Sequence, residues 1–226
     1  MPGKIYRKGR LSLDAREKII DYSLPGKNIK LKVVEDVEAL ITDPNDPDKV
    51  PCWAELWPAA RAMALHIWER MDLAGKDVLE LGCGLGLPGL TAGLKGAKIT
   101  FSDFNQDALE MALETAKLNN IQEVEVYSGD WRNYNLNKKF DLILGSDICY
   151  DPKLNKYLVN IFIENLKEDG TLLLSHPERP YTLELLQDLK EFSSWMEQKF
   201  YKTVTVENSL FPYYTITINQ LTKVLS

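Results

Sequence analysis

From residue 77 onward the chain alternates short apolar runs with longer stretches whose apolar residues recur every three or four positions. Val78, Leu79 and Leu81 form a run with few polar breaks, as in a strand buried on both faces. Leu87, Leu90 and Leu94 follow at helical spacing. The pattern then repeats. A strand at Lys98–Ser102 stops at Asp103, and a helix capped by Asn105 carries Ala108, Leu109, Ala112, Leu113 and Ala116 to about Asn119. Val124–Tyr127 and Phe140–Gly145 are further strands. Asp151-Pro152 opens a helix to about Leu166, and Gly170–Ser175 holds the fifth strand. Tyr181 to about Lys199 reads as a helix with Leu185, Leu186, Leu189, Phe192 and Met196 on one side. Tyr201–Glu207 and Tyr213–Asn219 alternate apolar residues with threonines and leave no room for a helix between them, which predicts an antiparallel hairpin around Asn208–Pro212. The sum is an α/β protein: a doubly wound, mostly parallel sheet of seven strands with helices on both faces and a C-terminal antiparallel hairpin.

The first 50 residues are less regular and form an N-terminal extension expected to pack on a main domain at 51–226. Leu13, Ile19 and Ile20 among charges suggest a short surface helix at Leu13–Tyr22, and Ile29–Val34 alternates like a strand with one wet face. Asp43–Asp48 is a loop rich in proline and Asx residues. Trp53 and Trp57 then lead into a helix from about Pro58 to Met71, whose Ala60, Met63, Ala64, Ile67 and Trp68 share a broad face.

Four glycines within eight residues separate the first buried strand from its helix. Such a turn lets a ligand approach bare backbone, with free N–H groups at the helix start beyond. It has two registers. Gly84-Leu85-Gly86-Leu87-Pro88-Gly89 satisfies the dinucleotide pattern G-x-G-x-x-G, whereas Glu80 with Gly82, Gly84 and Gly86 satisfies E-x-G-x-G-x-G. The apolar run ends at Leu81, so Gly82 is the first turn residue and the second register fits the strand end.

Composition narrows the class. The 226 residues are 45% hydrophobic and 27% charged, as in an ordinary globular domain. No apolar run approaches the ~20 residues of a membrane span, and no apolar h-region follows Met1-Pro2-Gly3-Lys4, so a cytoplasmic location is the expectation. The net charge of −6 argues against a nucleic-acid partner. Cys52, Cys83 and Cys149 are far apart and the histidines are two, His66 and His176, so no metal site is expected.

Ligands of open α/β sheets bind outside the carboxyl ends of the strands. Asp103 ends the second strand, seventeen residues after Gly86, where a carboxylate can accept from ribose hydroxyls; the plain alternative is a turn aspartate near a helix start, supporting little core. Asp130-Trp131 ends the third strand and Ser146 to Tyr150 follow the fourth. His66 sits on an apolar helix and reads as packed; His176 follows the fifth strand and could face the site.

Two features carry a resemblance. E-x-G-x-G-x-G at Glu80–Gly86 is similar to the first motif of the seven-strand, Rossmann-like methyltransferases that use S-adenosylmethionine (SAM). Phe140-Asp141-Leu142-Ile143-Leu144 followed by Ser146-Asp147-Ile148-Cys149-Tyr150 resembles the fourth motif of their protein-lysine branch, in which D-x-x-Y lines the target-lysine channel. Trp53–Pro58 also resembles that branch's tryptophan segment before the first helix. The resemblance spans about residues 29–219. It implies SAM as cofactor, held by Trp57, Glu80, Gly82, Gly84, Gly86, Asp103, Phe104, Asn105, Asp130, Trp131 and Ser146, and it implies Asp147 and Tyr150 as the acceptor-side catalytic pair. His176–Tyr181 is similar to the D-P-G-R-x-Y segment of the branch acting on the electron-transfer flavoprotein β subunit, but His176 and Glu178 depart from it, and that substrate is not assigned.

The expected activity is therefore SAM-dependent methylation of a lysine in a protein. A small-molecule amine or another nucleophile is the first alternative, because D-x-x-Y reports a channel and not the size of what enters. An NAD(P)-binding oxidoreductase is the second, and lacks a Y-x-x-x-K pair: Tyr157 is followed by Ile161 and Tyr181 by Leu185. A scaffold that binds SAM or a partner without catalysis is the third. The acceptor and the oligomeric state are not legible.

Overall fold

Val78, Leu79, Glu80 and Leu81 are all buried, which puts the strand Asp77–Leu81 at the centre of the main sheet. In the computed structural model, which describes residues 17–41, 43, 50–207 and 210–224, the elements run β1 (Glu17–Leu24), β2 (Lys27–Val34), α1 (Pro58–Arg70), β3 (Asp77–Leu81), α2 (Leu87–Leu94), β4 (Lys98–Asp103), α3 (Gln106–Leu118), β5 (Val124–Ser128), β6 (Phe140–Ser146), α4 (Pro152–Asn165), β7 (Leu166–His176), α5 (Pro180–Phe192), β8 (Trp195–Thr205) and β9 (Tyr213–Lys223). The sheet order is β5-β4-β3-β6-β7-β9-β8, as the expected seven-stranded fold requires. β3, β4, β5, β6 and β7 pair in parallel, while β9 runs antiparallel to both β7 and β8. The chain reverses direction across the sheet between β4 and β6, on either side of β3. That switch point opens a crevice at the carboxyl end of β3.

Alternation along β3 divides the interior. Val78 joins Met63, Ile67, Leu90, Phe101 and Ile218 on one face, and Leu79 and Leu81 join Ile143, Phe162, Leu172 and Leu185 on the other. Both faces are sealed, so the run is apolar apart from the buried Glu80. At the amino end of the sheet the Asp141 carboxylate accepts the Asp77 N–H at 2.8 Å and pairs with Lys167 at 2.8 Å, clamping β3, β6 and β7 opposite the crevice.

Two sequence expectations change. Residues Glu17–Leu24 are a strand paired with β2, not a surface helix; Leu13 lies outside the described residues, as do most of the Asp43–Asp48 loop and the hairpin tip at 208–209. Ile20 and Tyr22 pack on the core with Leu24 buried, a period of two, while Ile19 faces solvent. The signal is Pro25-Gly26, a turn with Gly26 at φ +73°. The second change is at the end of α5, which stops at Phe192. Ser193 is extended, Trp195 pairs with Lys223, and Phe192 and Met196 are exposed. The helical spacing of Leu185 and Leu189 runs on by accident into an edge strand whose register β9 dictates.

The β1–β2 pair docks on α3 and its C-cap through side chains that bond the β2 backbone. Asn119 accepts the Lys30 N–H at 3.0 Å and donates to the Lys30 carbonyl at 2.7 Å, while Thr115 accepts the Lys32 N–H at 3.2 Å. A hydrogen bond of this kind contributes about 1 kcal/mol. Asn119→Ala removes two such bonds and should therefore speed amide exchange in residues 17–34 about thirtyfold while leaving β3, β4 and β6 protected, as read by hydrogen-exchange mass spectrometry.

Candidate functional site

β3 ends in a turn whose backbone only glycine adopts easily. Gly84 has φ +49°, and a Cβ there would lie 2.8 Å from the Trp53 carbonyl oxygen. Gly86 has φ +74°, and its Cβ would lie 2.9 Å from the Phe101 ring. The turn is thus pinned from outside by the segment before α1 and from inside by β4. That outer segment is itself fixed: Trp57 donates from Nε1 to the Cys52 carbonyl at 2.8 Å, and Ser175 donates to the Ala59 carbonyl at 2.9 Å.

Asp103 closes the turn from the side. Its carboxylate accepts from the N–H of Gly84 at 3.0 Å and of Asn105 at 2.9 Å. The group is buried, and desolvation raises its pKa although the backbone donors oppose the rise. Two of roughly four lone-pair positions on the carboxylate are occupied. Asp103 is therefore more than a turn residue at the surface, and it holds the site's framework together. Asn105 caps α3 by accepting from the N–H groups of Asp107 and Ala108, and Phe104 between them is 63% exposed.

Glu80 lies beneath the turn, with no exposed surface. Its Oε2 accepts the Gly89 N–H at 2.9 Å, and its Oε1 has no partner. Burial, with a smaller push from Asp103, raises its pKa from 4.5 to about 8. Glu80 thus faces α2 and the protein interior rather than the crevice.

The opposite wall comes from β5 and β6. A Cβ on Gly82 would lie 3.1 Å from both Ile148 and Trp131. The Trp131 and Tyr150 rings stand 6.4 Å apart, and Tyr150 is 54% exposed. Asp130 begins the 3-10 turn of Trp131 and is engaged in a two-pronged pair with Arg132, with Nη2 to Oδ2 at 2.6 Å. Ser146 pairs with Ser175 at the ends of β6 and β7.

Asp147 follows, with φ +54° and its N–H donating to the Ser175 carbonyl at 2.8 Å. Its carboxylate is nearly buried and is gripped by Arg179 through Nε and, at 2.8 Å, Nη2. Arg179 has no site role in the sequence reading; its place in the residues after the fifth strand is the available signal. His176 turns away to β9, where Nε2 meets Asn219 Oδ1 at 2.8 Å, and burial lowers its pKa. Among the described residues no cluster of His, Cys, Asp and Glu could hold a metal ion, and no helix is long and apolar enough to cross a membrane.

The fold therefore gathers Gly82, Gly84, Gly86, Asp103, Trp131, Ser146, Asp147 and Tyr150 at one end of the sheet, with Trp57, Phe104 and Asn105 at its rim, Asp130 bound to Arg132, and Glu80 below. Compared with known families, residues 40–203 match the lysine methyltransferase model. The chain belongs to the lysine methyltransferase family. Among relatives of this methyltransferase, the histidine protein methyltransferase 1 homolog of Dictyostelium discoideum is 35% identical over 128 residues, 54% of this chain and 41% of that protein. The protein N-terminal and lysine N-methyltransferase EFM7 of Candida glabrata is 33% identical over 164 residues, 65% of this chain and 63% of that protein. The chain thus spans about two fifths of the first and under two thirds of the second. The N-methyltransferase NodS of Bradyrhizobium japonicum, solved with S-adenosyl-l-homocysteine, shares the fold at TM-score 0.61 and 14% identity, covering 84% of this chain and 97% of that one.

Two predictions follow from the buried carboxylates of the methyltransferase. Asp103→Ala leaves buried N–H groups without an acceptor and should lower unfolding free energy by about 1–3 kcal/mol in urea titration; Asp103→Asn, which keeps an acceptor oxygen, should lose less. For Glu80 the folded value of about 8 exceeds the ordinary 4.5, so the folded protein binds more protons than the unfolded chain between those limits. Stability then falls as pH rises through that window, by about 1.4 kcal/mol per unit of difference at most. Thermal melts at pH 5, 6.5 and 8 should show a declining Tm for the parent and a flatter profile for Glu80→Gln.

Proposed function

We propose that this chain transfers a methyl group from SAM to the side-chain amine of a lysine in a protein. What supports the reading most is that the D-x-x-Y loop and the glycine turn share a wall, with Ile148 and Trp131 both against Gly82. The residues present suit SAM: a positive-φ glycine turn of bare backbone, a carboxylate at the end of β4 with a lone pair to spare, and Phe104, Trp131 and Trp57 to flank an adenosine. Gly82, Gly84, Gly86, Asp103, Phe104, Asn105, Asp130, Trp131, Ser146 and Trp57 would hold it, with Glu80 shaping the turn from below. SAM supplies an activated methyl group on a cationic sulfur.

The chain's own residues must supply position and desolvation. A lysine amine attacks only when neutral, and its ordinary pKa is about 10.4. Asp147 orients the amine, and Tyr150 with Trp131 gives aromatic faces that tolerate both an ammonium and its methylated forms. A protein acceptor, rather than a small amine, is supported by a cleft of about 420 Å³ beside the turn. Val33, Val34, Leu56 and Leu85 line it together with Glu35, Asp36, Glu38, Glu55 and Arg61, a net acidic surface suited to residues flanking a target lysine. The net charge of −6 weighs against a nucleic acid, and the cytoplasm is the setting we assign. We treat residues 1–50 as an extension on a methyltransferase domain at 51–226.

The test is labelled SAM added with the protein to a lysate that is then divided by protease, nuclease and size. Label in protease-sensitive material, on lysine by mass spectrometry, is expected; label confined to nucleic acid or small molecules would overturn the reading. Asp147→Ala should lower transfer on the order of a hundredfold, with SAM affinity by calorimetry changed less than twofold.

A further inference from the structure

We infer that Arg179 is a positioning residue for the acceptor: it fixes the Asp147 carboxylate and cancels its charge, so that the channel takes the neutral amine in preference to the ammonium. This rests on the methyl-transfer reading above.

The backbone is unusual at Asp147 and at the residue preceding Arg179. Asp147 and Glu178 each have φ +54°, and among the described residues only Asn120 joins them as a non-glycine residue with positive φ. Left-handed conformations of this sort cost energy and persist where the surroundings impose them. Here the surroundings are visible. Asp147 is tied by its N–H to Ser175, and Glu178 accepts from Thr217 at 3.3 Å. Arg179 precedes Pro180, which holds it extended as α5 begins. Two strained loops, from β6 and β7, thus meet through a guanidinium fork that uses both carboxylate oxygens. Each oxygen keeps a further lone pair for an incoming N–H.

The charge balance around Asp147 follows. Cys149 feels its charge, but burial pushes that thiol up to about 12, so it is neutral. His176 also feels it and is neutral because burial lowers its pKa; Lys199 and Glu178 act on His176 with opposite signs. Arg179 is the cation bonded to Asp147. An unpaired carboxylate within ~4–6 Å would favour the charged ammonium and raise its pKa by about 1–3 units. Paired with Arg179, it offers a hydrogen bond without that penalty.

The test uses a one-lysine peptide cut from the lysate protein labelled above, at saturation, and reads the single-turnover rate from pH 7 to 10, which reports ionisation in the bound complex. Arg179→Gln should be about tenfold slower at pH 7.5 and recover as pH rises, its rising limb displaced upward by about one unit. Arg179→Lys keeps the charge without the fork; it should lose rate evenly across pH and leave the limb in place. SAM binding and melting temperature verify that both variants are folded. An active parent with the limb of Arg179→Gln unmoved overturns this inference alone, since a merely structural role would lower the rate at every pH. A parent that methylates no lysine brings down the underlying reading and this one with it.

Discussion

The carboxylate of Asp103, buried and bonded by the N–H groups of Gly84 and Asn105, is the joint on which the site depends. A glycine turn is open to ligands because it lacks side chains, and for the same reason it has little of its own to hold it still. Asp103 answers this from β4, Glu80 from below through Gly89, and the Trp53 carbonyl from outside. The turn is thus rigid although four of its residues are glycines. Both carboxylates are buried to do so, and both carry raised pKa values as a result. The framework of the binding site is therefore tied to proton uptake in a way that an exposed loop would not be.

Much of the architecture was legible because β3 and β6 obey a local rule. A strand sealed on both faces, as at Leu142–Leu144 and, apart from the buried Glu80, at Val78–Leu81, is apolar along its run, and its ends are then marked by the first glycine or aspartate. The failures lie at the edges of the protein, where burial is one-sided. Ile19 and Ile20 looked helical because two adjacent apolar residues fit either period; the pairing with β2 decides between them, and that is a long-range fact. Phe192 and Met196 extended the spacing of Leu185 and Leu189 but face solvent, since β9 draws the chain into an edge strand three residues later.

The same division holds for the site. Glycines and strand-end acids announce themselves by position, so Gly82 to Gly86 and Asp103 could be named from spacing, and Asp147 from the D-x-x-Y resemblance. Roles could not. The bonds by which Asp103 anchors the glycine turn, and the one by which Glu80 holds Gly89, join separate elements and appear only in the fold. Arg179 could not be assigned, because its meaning comes from Asp147, which reaches it only when β6 and β7 lie side by side. No period or spacing within one segment encodes a contact between two strand ends.

The clamp at the far end of the sheet bears on the order in which the molecule is made. Asp77 donates its N–H to Asp141, 64 positions later, and the parallel pairing of β3 with β6 spans a similar separation. Parallel contacts at such distances close slowly, because loop entropy is lost before the contacts form. A nascent chain that has emerged only through β5 carries the complete glycine turn and Asp103, yet β3 still has a bare edge where β6 belongs. On the proposed reading the cofactor side of the crevice is encoded early and its acceptor side late, so a ribosome-bound chain holds half a site until the segment from 140 to 179 has been released.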